Sequence, residues 1–112
     1  MQAGATFQHA RDILYKLRAR CPNEPYAEIG LGSICFSEGR IEAAIDHYRE
    51  ALKLSPCNAY AYALLGESQM FQGEYSAARV SLRRACDIDP KGPYGRLADR
   101  LLTLMQFLPQ HV

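Results

Sequence analysis

Apolar residues recur along this chain at helical spacing, in blocks separated by short polar, glycine and proline punctuation. Ile41, Ala44, Ile45, Tyr48, Ala51, Leu52 and Leu54 trace one face of a helix. Tyr62, Leu65, Gly66 and the pair Gln69–Met70 open the first helix of the next block. Gly39 and Gly73 stand between blocks, where a chain leaving a helix needs a positive φ that carries no Cβ penalty only at glycine. Pro22, Pro56 and Pro90 close blocks, because the residue before a proline disfavours helix. Asn23 and Asn58 follow and are expected N-caps. Pro93, after Gly92, suits the first turn of a last helix, and Pro109 should stop it. The pattern predicts helices near 5–20, 24–37, 41–54, 58–71, 75–88 and 93–108.

The blocks repeat. Pro22, Pro56 and Pro90 are each 34 residues apart, and Gly32 and Gly66, Gly39 and Gly73, Leu31 and Leu65, Ala44 and Ala78, Ala51 and Ala85 share that offset. Tyr26, Tyr60 and Tyr94 form a further series at the same spacing. Matches that fall on glycine, proline and tyrosine together indicate a repeated helical hairpin. Gly32, Gly66, Ala44 and Ala78 are small where two helices must approach closely, and Leu31, Tyr48, Leu65 and Tyr75 are expected to fill the space between them.

These residues resemble the tetratricopeptide repeat. In 25–58 its pattern is met by Leu31, Gly32, Gly39, Ala44, Tyr48, Ala51 and Pro56. Ile41 stands in for an aromatic, and Glu28 departs at a position that the family fills with Trp or Tyr. In 59–92 it is met by Tyr62, Leu65, Gly66, Gly73, Tyr75, Ala78, Ala85 and Pro90, with Leu82 in place of an aromatic. The flanks match more weakly, through Phe7, Ala10, Leu14 and Pro22 at one end and Tyr94 at the other. The resemblance implies an all-α superhelix of antiparallel hairpins in one domain. It comprises a half-repeat helix over 1–24, repeats over 25–58 and 59–92, and a C-terminal capping helix over 93–112.

The resemblance also implies a protein or peptide partner in a concave groove lined by the first helix of each hairpin. Carried over position by position, the groove residues are Tyr26, Tyr60 and Tyr94, then Ile29, Ala63 and Leu97, then Ser33, Glu67 and Leu101. They end with Phe36 and Ser37, then Met70 and Phe71, then Leu104 and Met105. The tyrosines should form a ladder of rings along it. Some relatives hold acidic C-termini of heat-shock proteins with Lys, Asn and Arg near these places. Here Ile29, Gly30, Ala63, Leu64 and Leu97 offer a carboxylate no cation, so an apolar peptide or client segment is expected instead. Bacterial type III secretion chaperones are similar in design, which implies a small cytoplasmic chaperone. The alternative is a structural piece of a longer solenoid scaffold.

Composition narrows the choice. The net charge of +1 gives no global attraction to nucleic acid or an anionic membrane. Arg11, Lys16, Arg18 and Arg20, and later Arg79, Arg83 and Arg84, alternate with acidic residues as on a solvated face. No apolar run approaches the roughly 18 residues of a membrane span, and the first residues do not read as a secretory signal. Cys21, Cys35, Cys57 and Cys86 form no C-x-x-C pair, and His9, His47 and His111 lie far from one another, so no metal or other cofactor is expected. Cys35 and Cys86 fall at core positions, Cys21 and Cys57 near turns. Free thiols in a reducing cytosol are expected, with a Cys21–Cys57 disulfide as the alternative. No nucleophile-and-base motif or phosphate loop points to an enzyme.

The last helix carries Leu97, Leu101, Leu102, Leu104, Met105, Phe107 and Leu108, more apolar surface than one packed face needs. A homodimer or a complex through 93–108 is therefore expected. Phe7, Ile13, Leu14 and Leu17 on the first helix likewise lack a hairpin partner.

Overall fold

A computed structural model describes the backbone of residues 3–108 and the side chains of residues 7–108. Among them, six helices follow one another as consecutive hairpins: α1 (Ala3–Arg20), α2 (Pro25–Ser37), α3 (Ile41–Leu54), α4 (Ala59–Phe71), α5 (Tyr75–Ile88) and α6 (Pro93–Met105). The fold is all-α, as the periodicity predicts. It divides into two compact units between Pro56 and Cys57, one holding α1 to α3 and the other α4 to α6.

In the first unit α2 packs against both α1 and α3. A helix covered on two sides must be apolar around most of its circumference. Accordingly Ala27, Ile29, Leu31, Ile34 and Cys35 are all buried. The one-sided α3 buries only Ala44, Ile45, Tyr48 and Ala51. Gly32 sets the α2–α3 distance: a Cβ there would lie 2.6 Å from Cε1 of the Tyr48 ring. That ring is 1% exposed, among the largest side chains fully inside.

The second unit repeats the device. A Cβ at Gly66 would lie 2.6 Å from Cδ2 of Leu82, where the family pattern has an aromatic. Leu82 belongs to a core of Ala63, Ala78, Ala85, Ala98, Leu101 and Met105 shared by α4, α5 and α6. Leu65 is buried as expected, whereas Tyr75 is only half-buried at the edge of this core. Inside the unit Ser81 donates to Oε1 of Gln69 at 2.7 Å, which satisfies two buried polar side chains at once.

The punctuation residues act mostly as read. Gly39 and Gly73 have φ of 81° and 86°, the left-handed region that lets α2 and α4 end and the chain turn back. Asn58 caps α4 by accepting from the N–H of Ala61 at 3.0 Å. Asn23 does not cap α2: Glu24 takes that place, and its carboxylate accepts from Tyr26 N–H at 3.4 Å. Pro25 then occupies the first turn, where no N–H is needed, and Pro93 does the same for α6. α6 ends at Met105 rather than at 108. The N–H groups of Gln106, Phe107 and Leu108 reach back only three residues, to Thr103, Leu104 and Met105, so the end tightens into a 3₁₀-like turn. The expected stop at Pro109 lies outside the described residues.

Candidate functional site

In the α4–α6 unit, Tyr60 and Tyr94 are the second residues of their helices and lie one repeat length apart in sequence. Their rings stack with centroids 4.5 Å apart and an interplanar angle of 25°. Both are half-buried, so each ring supports the other while an edge stays open. Glu67 is half-buried on α4, and burial pushes its carboxyl above the usual carboxylate range. Met70 and Leu97 are half-buried against the unit's core. Phe71 and Leu104, toward the far ends of α4 and α6, are 64% and 59% exposed.

Burial divides the carried-over positions. Ala63 is 0% and Leu101 8% exposed, because both belong to the core that α4, α5 and α6 share in this unit. In the other unit Ile29 is 2% exposed. These three side chains serve packing and offer a ligand almost no surface. Tyr26 stands 58% exposed in the first turn of α2. Ser33 is half-buried with its hydroxyl 3.3 Å from that of Tyr48, and Phe36 is half-buried near the end of α2.

The first unit also carries a polar cluster that periodicity did not predict. Glu28, at the position the repeat pattern gives to an aromatic, is 8% exposed. One carboxylate oxygen is 3.0 Å from Nη1 of Arg18 on α1, the other 2.8 Å from Nδ1 of His47 on α3. Burial alone would raise its pKa. The hydrogen bonds from His47 and Arg18 outweigh that, and the carboxyl is held below its usual range. The carboxylate thus ties three helices together where an aromatic ring would otherwise fill the space. At the other end of α2, Arg11 grips Glu38 through both guanidinium nitrogens at 2.9 and 3.0 Å. This fork lowers the pKa of Glu38 and raises that of Arg11. The signal for the Glu28 cluster was a charge where the repeat expects an aromatic; its partners came from different helices.

All four cysteines are free thiols. Cys35 is buried and Cys86 half-buried, while Cys21 and Cys57 are exposed. Burial, followed by Asp99 and Asp87, pushes the Cys86 thiol up. Among the described residues no group of His, Cys, Asp and Glu is placed to hold a metal ion. No helix there is long and apolar enough to cross a membrane.

Comparison with known proteins bears on this geometry. A family profile described as a TPR repeat matches residues 32–73, and one described as a tetratricopeptide repeat matches residues 59–91. Over 95 residues the chain is 32% identical to anaphase-promoting complex subunit 3 of Dictyostelium discoideum, a match covering 79% of this chain and 10% of that protein. The chain therefore corresponds to a short stretch of that relative. The two profiles together span residues 32–91, more than half the chain, and they fall on the helices whose close approaches depend on Gly32 and Gly66. The chain belongs to the tetratricopeptide-repeat family.

Proposed function

We propose that this chain is a protein-binding segment of scaffold type that works inside a multi-protein assembly and receives a partner segment on the α4–α6 face around Tyr60 and Tyr94. The observation that carries this reading is the half-buried stack of those two rings, with Glu67, Met70 and Leu97 half-buried farther along α4 and α6 and Phe71 and Leu104 exposed toward the far ends of those helices. Aromatic rings held in place lose little freedom on binding and offer both apolar area and a hydroxyl. The relative, by its name a subunit of a complex, supports a scaffold over a small secretion chaperone, for which the comparisons offer nothing. Free thiols on a chain of this kind fit an intracellular setting.

The test is capture of partners by the chain and by Tyr60→Ala and Tyr94→Ala, each first shown to be folded by circular dichroism. Partners should be lost from both variants, and cross-links in the wild type should map to α4 and α6. Undiminished capture by both variants would remove the reading. An acidic C-terminal peptide of heat-shock type should not bind, because Ala63, Leu64, Glu67 and Leu97 offer it no cation.

A further inference from the structure

We propose that Glu67 is the anchoring carboxylate for one basic residue of the bound partner, with apolar partner residues on either side of that cation. This rests on the α4–α6 face being the binding face. Glu67 follows Tyr60 by seven residues and precedes Phe71 by four, so all three lie along one stripe of α4. Helical rise sets Glu67 about 10 Å along the axis from Tyr60 and about 6 Å from Phe71. Its other neighbours at helical spacing, Ala63, Leu64 and Met70, are apolar. The stripe therefore reads aromatic, apolar, anionic, aromatic.

What sets Glu67 apart is the lack of an internal partner. Other acidic side chains drawn into this structure have donors: Glu28 has Arg18 and His47, Glu38 has Arg11 and Arg40, and the half-buried Glu24 and Asp89 accept from the backbone N–H of Tyr26 and Tyr94. Among the described residues, no hydrogen bond or ion pair reaches Glu67. A carboxylate that has lost part of its hydration and gained no donor makes the free chain less stable than a neutral side chain would. Burial raises its pKa with no opposing contribution, in keeping with that. A lysine or arginine supplied from outside would restore what burial removed. Its alkyl stem would lie on the rings and methylenes around the carboxylate. A lone carboxylate with no second ligand group is poorly suited to a metal ion, so a partner's side chain is the occupant this chemistry fits.

A displayed library of random 12-residue peptides, selected on the 112-residue chain, tests this. Selected peptides should share one Lys or Arg flanked by apolar or aromatic residues. Replacing that basic residue by Gln should weaken binding about tenfold on the wild type and hardly at all on Glu67→Gln. Glu67→Gln should also melt at the same temperature or higher, the reverse of a residue kept for stability. Selected peptides without a basic preference, or an Arg-to-Gln effect that persists in Glu67→Gln, would overturn the role of Glu67 while leaving the face intact. Peptides whose binding is indifferent to Tyr60→Ala would overturn the face itself, and the anchor with it.

Discussion

The rings of Tyr60 and Tyr94 stack with their centroids 4.5 Å apart, which joins the first turn of α4 to the first turn of α6. These tyrosines therefore support the fold as well as any ligand. Tyr60→Ala should lower stability by about 1–2 kcal/mol, from lost stacking and lost area. The double variant with Tyr94→Ala should lose less than the sum of the singles. The shortfall is the coupling between the rings, about 0.5–1.5 kcal/mol. Urea denaturation of the four proteins measures it, and strictly additive losses would mean that the rings do not interact in solution.

Gly32 and Gly66 are the closest approaches in their hairpins. A Cβ at either would lie 2.6 Å from Tyr48 or Leu82, both essentially fully buried and unable to swing away. Gly32→Leu and Gly66→Leu should each lower the melting temperature sharply, by the equivalent of about 1–3 kcal/mol or more. Glu42→Ala, on the exposed side of α3, should stay within about 0.5 kcal/mol of wild type. Small, equal shifts in all three would refute the packing account.

Glu28 predicts an acid-sensitive first unit. Its pKa is lower in the folded chain than in the unfolded one, so protonation favours unfolding. The stabilisation is present above the ordinary carboxylate pKa and is lost as pH falls through that range toward the lower folded value. Glu28→Gln should cost about 1–3 kcal/mol at neutral pH. That is below the figure for a fully buried pair, because the side chains of Arg18 and His47 keep 42% and 24% of their exposure. Thermal melts should show a wild-type midpoint that falls between about pH 5 and pH 3, and a smaller fall in the variant. Parallel curves would show that the carboxylate does not gain from its partners. Glu67 should behave oppositely: its raised pKa makes the ionised form unfavourable, so the gain from Glu67→Gln should shrink on acidification.

The thiols should separate by burial. Cys21 and Cys57 should alkylate quickly in the native protein, while Cys35, at 5% exposure, should wait for unfolding. Cys86 should lag as well, since its thiol donates toward the carbonyl of Gly95 and its pKa is raised. Mass spectrometry of a timed iodoacetamide reaction gives the order, and Cys35 reacting with the first two would contradict the packing of α2.

Assembly through the last helix should depend on the residues that reach solvent there. Met105 is 1% exposed, so Met105→Ser would report on the core and not on an interface. Leu104 and Phe107 are 59% and 84% exposed. If 93–108 forms a homodimer or complex, Leu104→Ser with Phe107→Ser should shift light scattering toward monomer with little change in melting temperature. A wild-type chain already monomeric at high concentration would leave that patch without a self-association role.

The 34-residue recurrence of glycine, proline and small residues was enough to place the helices, because those signals act locally. Gly39 and Gly73 turn the backbone at positive φ, and Asn58 and Pro93 start helices using atoms within one turn. Even the close approaches at Gly32 and Gly66 were legible, since absent side chains at fixed spacing mark where helices meet. The expected groove was only a list of register positions. Register says which stripe a residue occupies but not how much of it neighbouring helices cover. Packing therefore decided that Ile29, Ala63 and Leu101 lie inside and that Tyr26, Phe71 and Leu104 remain open. Tertiary structure alone also brought Arg18, Glu28 and His47 together from three helices, and left Glu67 half-buried without a counter-ion. Coulombic and hydrogen-bond partners depend on separations of a few ångströms between side chains distant in sequence, and no local periodicity encodes those separations.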